Sequence, residues 1–333
     1  MKAGLVTDIL GYLPFEEMLD TCVDLGFEAL ELGCGNWSKA PHVDLDGLLE
    51  SKVKRVNFLD ALKRRGLEIA ALNCSGNQLE PTEEGEAHKA VIEKTFQLAG
   101  LLEVETMVMM SGCPSGGPND VTPNWLTHPI LPPHFETLEW QWNEVAFPYW
   151  EKAVKVATEH GVRKIAIENL GCNLVYNPET LFKLRNEVGD LIGMNFDPSH
   201  LFWMGGDPIA AARALGSAMY HVHAKDVRIE RGVNDAHGLI DVKPMESFAT
   251  RSWNYVALGH GHNVGWWKEF FTVVKMTGYE GPVVLEMEDL MMEPLTGVKK
   301  SMNVLKEALP RDFEKESSCF LTRDSFETIT PSV

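Results

Sequence analysis

Short apolar runs and longer amphipathic stretches alternate along nearly the whole chain. The runs 2–7 (KAGLVT), 28–34 (EALELGC), 67–74 (LEIAALNC), 106–113 (TMVMMSGC), 164–170 (KIAIENL), 191–197 (LIGMNFD), 219–226 (MYHVHAKD) and 281–289 (GPVVLEMED) read as strands. Between them, 14–27, 48–65, 83–101, 143–161, 178–188, 207–216, 265–277 and 294–308 carry apolar residues at helical spacing. Gly26 and Gly66 supply stops and Pro178 a start. The strands are nearly continuous apolar runs, as expected for a parallel sheet covered on both faces. Eight strand–helix units predict a closed (β/α)8 TIM barrel. An open, doubly wound sheet would more often show a glycine-rich phosphate turn, and neither G-x-G-x-x-G nor G-x-x-x-x-G-K occurs.

Two connections are long: a Pro/Gly-rich loop at 114–135, after strand four, and a loop at 229–263, after strand seven. No linker divides the chain, so 1–309 reads as one barrel domain. The remainder, 310–333, is polar with Phe313, Phe320 and Phe326 spaced along it. It reads as a loosely held tail or as an arm that packs on a partner subunit.

Composition narrows the function. A chain of 333 residues, 44% hydrophobic, has ample core for one large barrel. The formal net charge of −18 disfavours nucleic acid and anionic membranes as partners. The N-terminus, MKAGLVTDIL, lacks a signal-peptide pattern. No stretch reaches the roughly 18 apolar residues of a membrane span. The six cysteines include no C-x-x-C pair, which argues against a thiolate zinc site and fits a reduced, cytoplasmic protein.

Barrel enzymes carry their chemistry at the C-terminal ends of the strands. There, strand five ends in Glu168-Asn169, and strand six in Asp197 followed by His200. Strand seven carries His221, His223 and Lys225-Asp226, and strand eight carries Glu286, Glu288 and Asp289. An isolated strand-end Glu is usually a cap or an ion-pair partner. Several carboxylates buried together are costly without a cation. Glu168, Asp197, His223 and Glu286 therefore read as ligands of one divalent metal. Three carboxylates and one imidazole suit Mn²⁺, Mg²⁺ or Co²⁺ better than structural zinc, which favours Cys and His. His221 shares strand parity with His223 and could face the same interior.

The segments IAIEN, NFDPSH, HVHAKD and VVLEMED resemble those of the xylose-isomerase-like TIM barrel superfamily of sugar isomerases and epimerases, over about residues 2–309. That resemblance implies the same four metal ligands, with Glu168 and Glu286 on opposite faces of a sugar. It also implies that His200 touches substrate hydroxyls and that Arg228, just after the strand-seven Lys-Asp pair, does so too. The chain is also similar to catalytic subunits of bacterial C-glycoside deglycosidases, which implies a small partner subunit in place of a homo-oligomer. The superfamily also resembles an abasic-DNA endonuclease, a reading that the acidic charge disfavours.

A cation can stabilise an enediolate formed when a carboxylate removes the proton α to a carbonyl. Reprotonation then gives epimerisation or isomerisation, and loss of a β-group gives elimination. The primary expectation is a metal-dependent sugar isomerase or epimerase. The alternatives are a lyase acting on 3-oxo-glycosides and a non-catalytic sugar-binding subunit. Within the 229–263 loop, His260 and His262 are candidate extra acid/base groups and Arg251 a candidate substrate contact, against the plainer reading of a satisfied surface loop. Trp37, Trp125, Phe202 and Trp203 could stack on a sugar or aglycone, although such aromatics are more often core. Lys225 could bind substrate or simply end its strand. With no phosphate cradle visible, an unphosphorylated sugar or glycoside is expected.

Overall fold

The computed structural model describes residues 1–310. Among them ten strands occur in chain order: β1 (Ala3–Val6), β2 (Ala29–Gly33), β3 (Glu68–Asn73), β4 (Thr106–Met109), β5 (Lys164–Glu168), β6 (Ile192–Phe196), β7 (Met219–Ala224), β8 (Asp226–Ile229), β9 (Trp253–Val256) and β10 (Val283–Leu285). Eight of them close into a barrel in the order β1-β10-β7-β6-β5-β4-β3-β2. Each adjoining pair is parallel. The expected (β/α)8 TIM barrel is the fold. The predicted tail, apart from Pro310, lies outside the described residues. Among the described residues no helix is long and apolar enough to cross a membrane.

Strand alternation sorts the side chains. On β6, Phe196 turns outward and meets Phe270 of the helix Val264–Met276, with ring centroids 5.8 Å apart. Its neighbours Asn195 and Asp197 therefore turn inward. On β7, His221 and His223 share the inward face, while Val222 and Ala224 face the helices. Small side chains keep the barrel interior narrow: Ala71, Val108 and Ala166, on adjacent strands, form a separate buried cluster.

Three segments depart from the sequence expectation. The predicted strand 281–289 pairs only over Val283–Leu285. Its last ladder contact is the Glu286 N–H donating to Ala224 O at 3.2 Å, because β7 ends there and the chain beyond leaves the barrel. The helix expected at 143 begins earlier, as Pro132–Trp140, and runs through a wide turn, Gln141–Ala146, into Phe147–Glu159. Pro132 and Pro133 favour that start, since their missing N–H groups would have no helical partner there. The 229–263 segment is also not a plain loop. It holds a helix, Arg231–His237, and most of the antiparallel hairpin of β8 and β9.

This excursion is pinned where it returns. Asp226 Oδ2 accepts the backbone N–H groups of Gly259, Gly261 and His262, each at 3.0 Å. Its Oδ1 meets His262 Nδ1 at 2.8 Å and the Val227 N–H at 2.9 Å. Asp289 and Ser301 accept two further N–H groups, from Ala257 and Leu258. A buried carboxylate with this many donors around it holds a segment far more firmly than an exposed ion pair would.

The aromatic layer behind β6 holds the strand that leads to Asp197. Phe270 is fully buried and also stacks on Trp266. Truncating Phe270 to Ala should cost about 3–5 kcal/mol, read as a lower denaturant midpoint with an unchanged slope.

Candidate metal centre

The inward residues of β5, β6 and β7 converge with Glu286 at the barrel mouth. Candidate ligand atoms of Glu168, Asp197, His223 and Glu286 all lie within 4.8 Å of one another. His223 Nδ1 is 3.2 Å from Glu286 Oε2 and 3.7 Å from Glu168 Oε2. Asp197 is fully buried, and its Oδ2 has no hydrogen-bond partner. That oxygen lies 3.3 Å from His200 Nε2 and 3.7 Å from Lys225 Nζ. An orphaned carboxylate oxygen among two further carboxylates and an imidazole is what a divalent cation would satisfy. The donor set therefore fits such an ion.

A second group, Glu31, His221 and His223, also has the composition of a metal site. It differs in being complete without an ion. Glu31 Oε2 meets His221 Nε2 at 2.7 Å and His223 Nε2 at 2.9 Å, and its Oε1 accepts from Asn73 Nδ2 at 2.7 Å. Burial pushes the Glu31 carboxyl up, but His223 and His221 outweigh it and bring it down to about 2. Glu31 thus holds the far nitrogen of His223 and leaves Nδ1 facing the mouth. A metal-ligating histidine is commonly oriented by a carboxylate in this way.

The two mouth glutamates sit in different surroundings. Burial and the nearby Glu286 raise the Glu168 carboxyl, against a hydrogen bond from His200 Nε2 at 2.9 Å. Burial also works against Glu286, but Lys225 and His223 hold it well below the usual carboxylate range. Lys225 Nζ lies 2.9 Å from Glu286 Oε2 and 2.6 Å from Glu288 Oε2.

Above the cluster opens a cavity of ≈ 390 Å³, lined by Asp8, Trp37, Ser38, Asn73, Met110, Glu168, His200, Lys225, Tyr255, Glu286 and Glu288 among others. Ser38 hydrogen-bonds to Asp8 across β2. Only glycine at position 33 allows this, since a Cβ there would come within 2.6 Å of Asp8 Oδ2.

Of the expected site residues, Asp197 and His223 belong to the four-residue group beneath the cavity. Glu168, Glu286, His200, Lys225 and Trp37 line the cavity. Trp203 stands just behind it, with its indole N–H 3.4 Å from His200 Nδ1 and its ring on Trp253. The others lie elsewhere. Arg228, on β8, which has already left the barrel, pairs with Glu230 just past that strand. Arg251 is occupied inside the excursion, donating to Trp253 O and Lys243 O and lying over the Trp253 ring. His262 belongs to the Asp226 clamp and stacks on Phe202 at 3.8 Å. His260 lies beside that clamp, away from the cavity lining. Trp125 lines a separate surface cavity with Trp142, Tyr176 and Lys183.

Sequence reasoning missed Glu31, Asp8 and Tyr255. Glu31 carried a signal: it is the only charged residue within the apolar run ALELG. Tyr255 carried none, because its strand WNYV is short and lies inside an apparent loop.

Residues 19–308 match the family described as "Xylose isomerase-like TIM barrel". The chain belongs to this family. It is 55% identical over 311 residues to an uncharacterized protein, YfiH, of Bacillus subtilis (strain 168), covering 93% of this chain and 99% of that one. Inosose dehydratase 2 of Bacillus cereus is 27% identical over 146 residues, 42% of this chain and 47% of that protein. Among solved structures, the probable 3-DHS dehydratase AsbF of Bacillus anthracis superposes with a TM-score of 0.64 at 18% identity, over 92% of this chain and 99% of that one. IolI, solved with a bound zinc atom, gives 0.64 at 16% identity, over 93% and 100%. At these identities the structural likeness shows the shared barrel.

Removing the charge behind His223 should weaken the metal site without touching a ligand. Glu31→Gln is expected to lower divalent-metal affinity roughly 10- to 100-fold, measured by competition with a chromophoric chelator.

Proposed function

We propose that this chain is a divalent-metal-dependent sugar isomerase or epimerase that moves a proton at the carbon α to a substrate carbonyl. One observation carries the reading: two glutamates, the buried Glu168 from β5 and the half-buried Glu286 just past β10, meet in one four-residue candidate metal-binding group and both line the cavity above it. When bound, a divalent ion, with Mn²⁺ preferred for the oxygen-rich donor set, would polarise the carbonyl and stabilise the charge that develops beside it. The protein supplies the rest. One glutamate takes the α-proton and the other stands ready to return one from a different strand. Return to the opposite face of the same carbon is epimerisation, and return to the neighbouring carbon is isomerisation. The Nζ of Lys225 is a donor for substrate oxygens, His200 lines the cavity with its Nε2 on Glu168, and Trp37 offers an apolar wall, 52% exposed, at the rim. Lys225 is the cationic side chain in the cavity lining and is already engaged by Glu286 and Glu288, in keeping with an unphosphorylated sugar or glycoside.

Elimination is the second reading, whether dehydration or loss of an aglycone from a 3-oxo-glycoside. Two observations favour it: the 27% identity to an inosose dehydratase, and an ammonium, Lys225, placed against Glu286 where a departing oxygen would need a proton.

Incubation of the Mn²⁺-loaded protein in D₂O with ketoses, aldoses, inososes and 3-oxo-glycosides separates the readings. The first predicts deuterium at the α-carbon of a recovered or rearranged sugar, and the second a dehydrated product or released aglycone. Glu286→Gln should slow either turnover by about 10²–10⁴-fold. Undiminished turnover in that variant would remove Glu286 from the mechanism.

A further inference from the structure

Tyr255 is the side chain of the excursion that reaches the residues flanking both glutamates. Its hydroxyl lies 3.1 Å from His200 Nδ1, and Lys225 Nζ sits 4.5 Å from its ring centroid. His200 in turn meets Glu168, and Lys225 meets Glu286.

The surroundings of His200 select one tautomer. The indole N–H of Trp203 points at Nδ1 from 3.4 Å, and an indole nitrogen can only donate. On the other side, Nε2 meets the carboxylate of Glu168 at 2.9 Å, which accepts when ionised. Both ends place the proton on Nε2 and a lone pair on Nδ1. The Tyr255 hydroxyl must then be a donor. Burial keeps the phenol protonated, which leaves it that proton to give. Tyr255 holds this place through β9: Trp253 stacks on Trp203 at 5.1 Å and meets the Tyr255 ring at 5.3 Å.

We propose that Tyr255 is a positioning residue, delivered by the β8–β9 hairpin, that together with the Trp203 N–H holds His200 in the Nε2–H tautomer and aims it at Glu168. Docking of the hairpin and readiness of the proton-transfer groups are thereby one event. The role in turnover rests on the proton-transfer reading above, whereas the tautomer of His200 does not.

Full-length protein labelled with ¹⁵N-histidine and loaded with Mg²⁺, which is diamagnetic, tests this by long-range ¹H–¹⁵N correlation, with His200 assigned from the spectrum of His200→Gln. In the unsubstituted protein, Nδ1 should appear unprotonated and Nε2 protonated. Tyr255→Phe keeps the ring over Lys225 and removes only the donor. It should move the Nδ1 resonance, since the Trp203 N–H then remains as its donor, and speed solvent exchange of the Nε2 proton. On a substrate identified in D₂O, the same variant should lower kcat roughly 10- to 100-fold with KM little changed. Unchanged His200 resonances in Tyr255→Phe, or an Nδ1-protonated His200 in the unsubstituted protein, would overturn the proposal. With no turnover on any substrate, the tautomer measurement still decides it.

Discussion

The interior of a small closed barrel is filled by side chains, so every inward polar group must find a partner within the barrel. This constraint organises the whole upper half of the molecule. Glu31, Glu168, Asp197, His221 and His223 are all essentially buried, on or at the ends of four barrel strands. Lower down, the demand is met by protein alone, where one carboxylate takes two imidazoles and an amide. At the mouth it is not met, because Asp197 keeps an oxygen without a hydrogen bond. The difference between these two adjoining groups is why the mouth, and not the Glu31 triad, is the candidate cation site. Burying a carboxylate without a partner costs several kcal/mol, and proteins retain such groups chiefly where a ligand or reaction uses them.

The same constraint explains what surrounds the centre. His223 is shared: Glu31 takes one nitrogen, and the mouth carboxylates approach the other. Asp226, one residue beyond Lys225, serves structure, and by holding three backbone N–H groups it brings the excursion back over the barrel. That return sets Tyr255 against His200. Adjacent residues of one strand end thus face different places, with Lys225 in the cavity lining and Asp226 in the clamp.

The eight-unit barrel was legible because its periodicity is strong, and the four mouth residues because each lies at or next to the C-terminal end of a strand whose inward face is set by parity. Positions that depend on where a connection travels were not legible. Arg228 looked like a substrate contact from its place after the Lys-Asp pair, but β8 carries it away from the mouth to Glu230. Arg251 and His262 were singled out in the 229–263 segment, where both make contacts that hold the segment itself. Tyr255, in the same segment, reaches the site because an antiparallel hairpin forms where the sequence shows only a polar loop. Glu31 was legible in principle, as a lone charge in an apolar strand. Its partners are far along the chain, 42 residues on at Asn73 and 190 residues on at His221.

The central claim is that Glu168, Asp197, His223 and Glu286 hold one divalent ion. Equilibrium dialysis of metal-stripped protein against Mn²⁺, with total metal counted by mass spectrometry, tests it directly when the unsubstituted protein is compared with folded Asp197→Asn. The account predicts one ion per chain, with binding lost or greatly weakened in the variant. Absence of stoichiometric binding, or undiminished binding in Asp197→Asn, would contradict it.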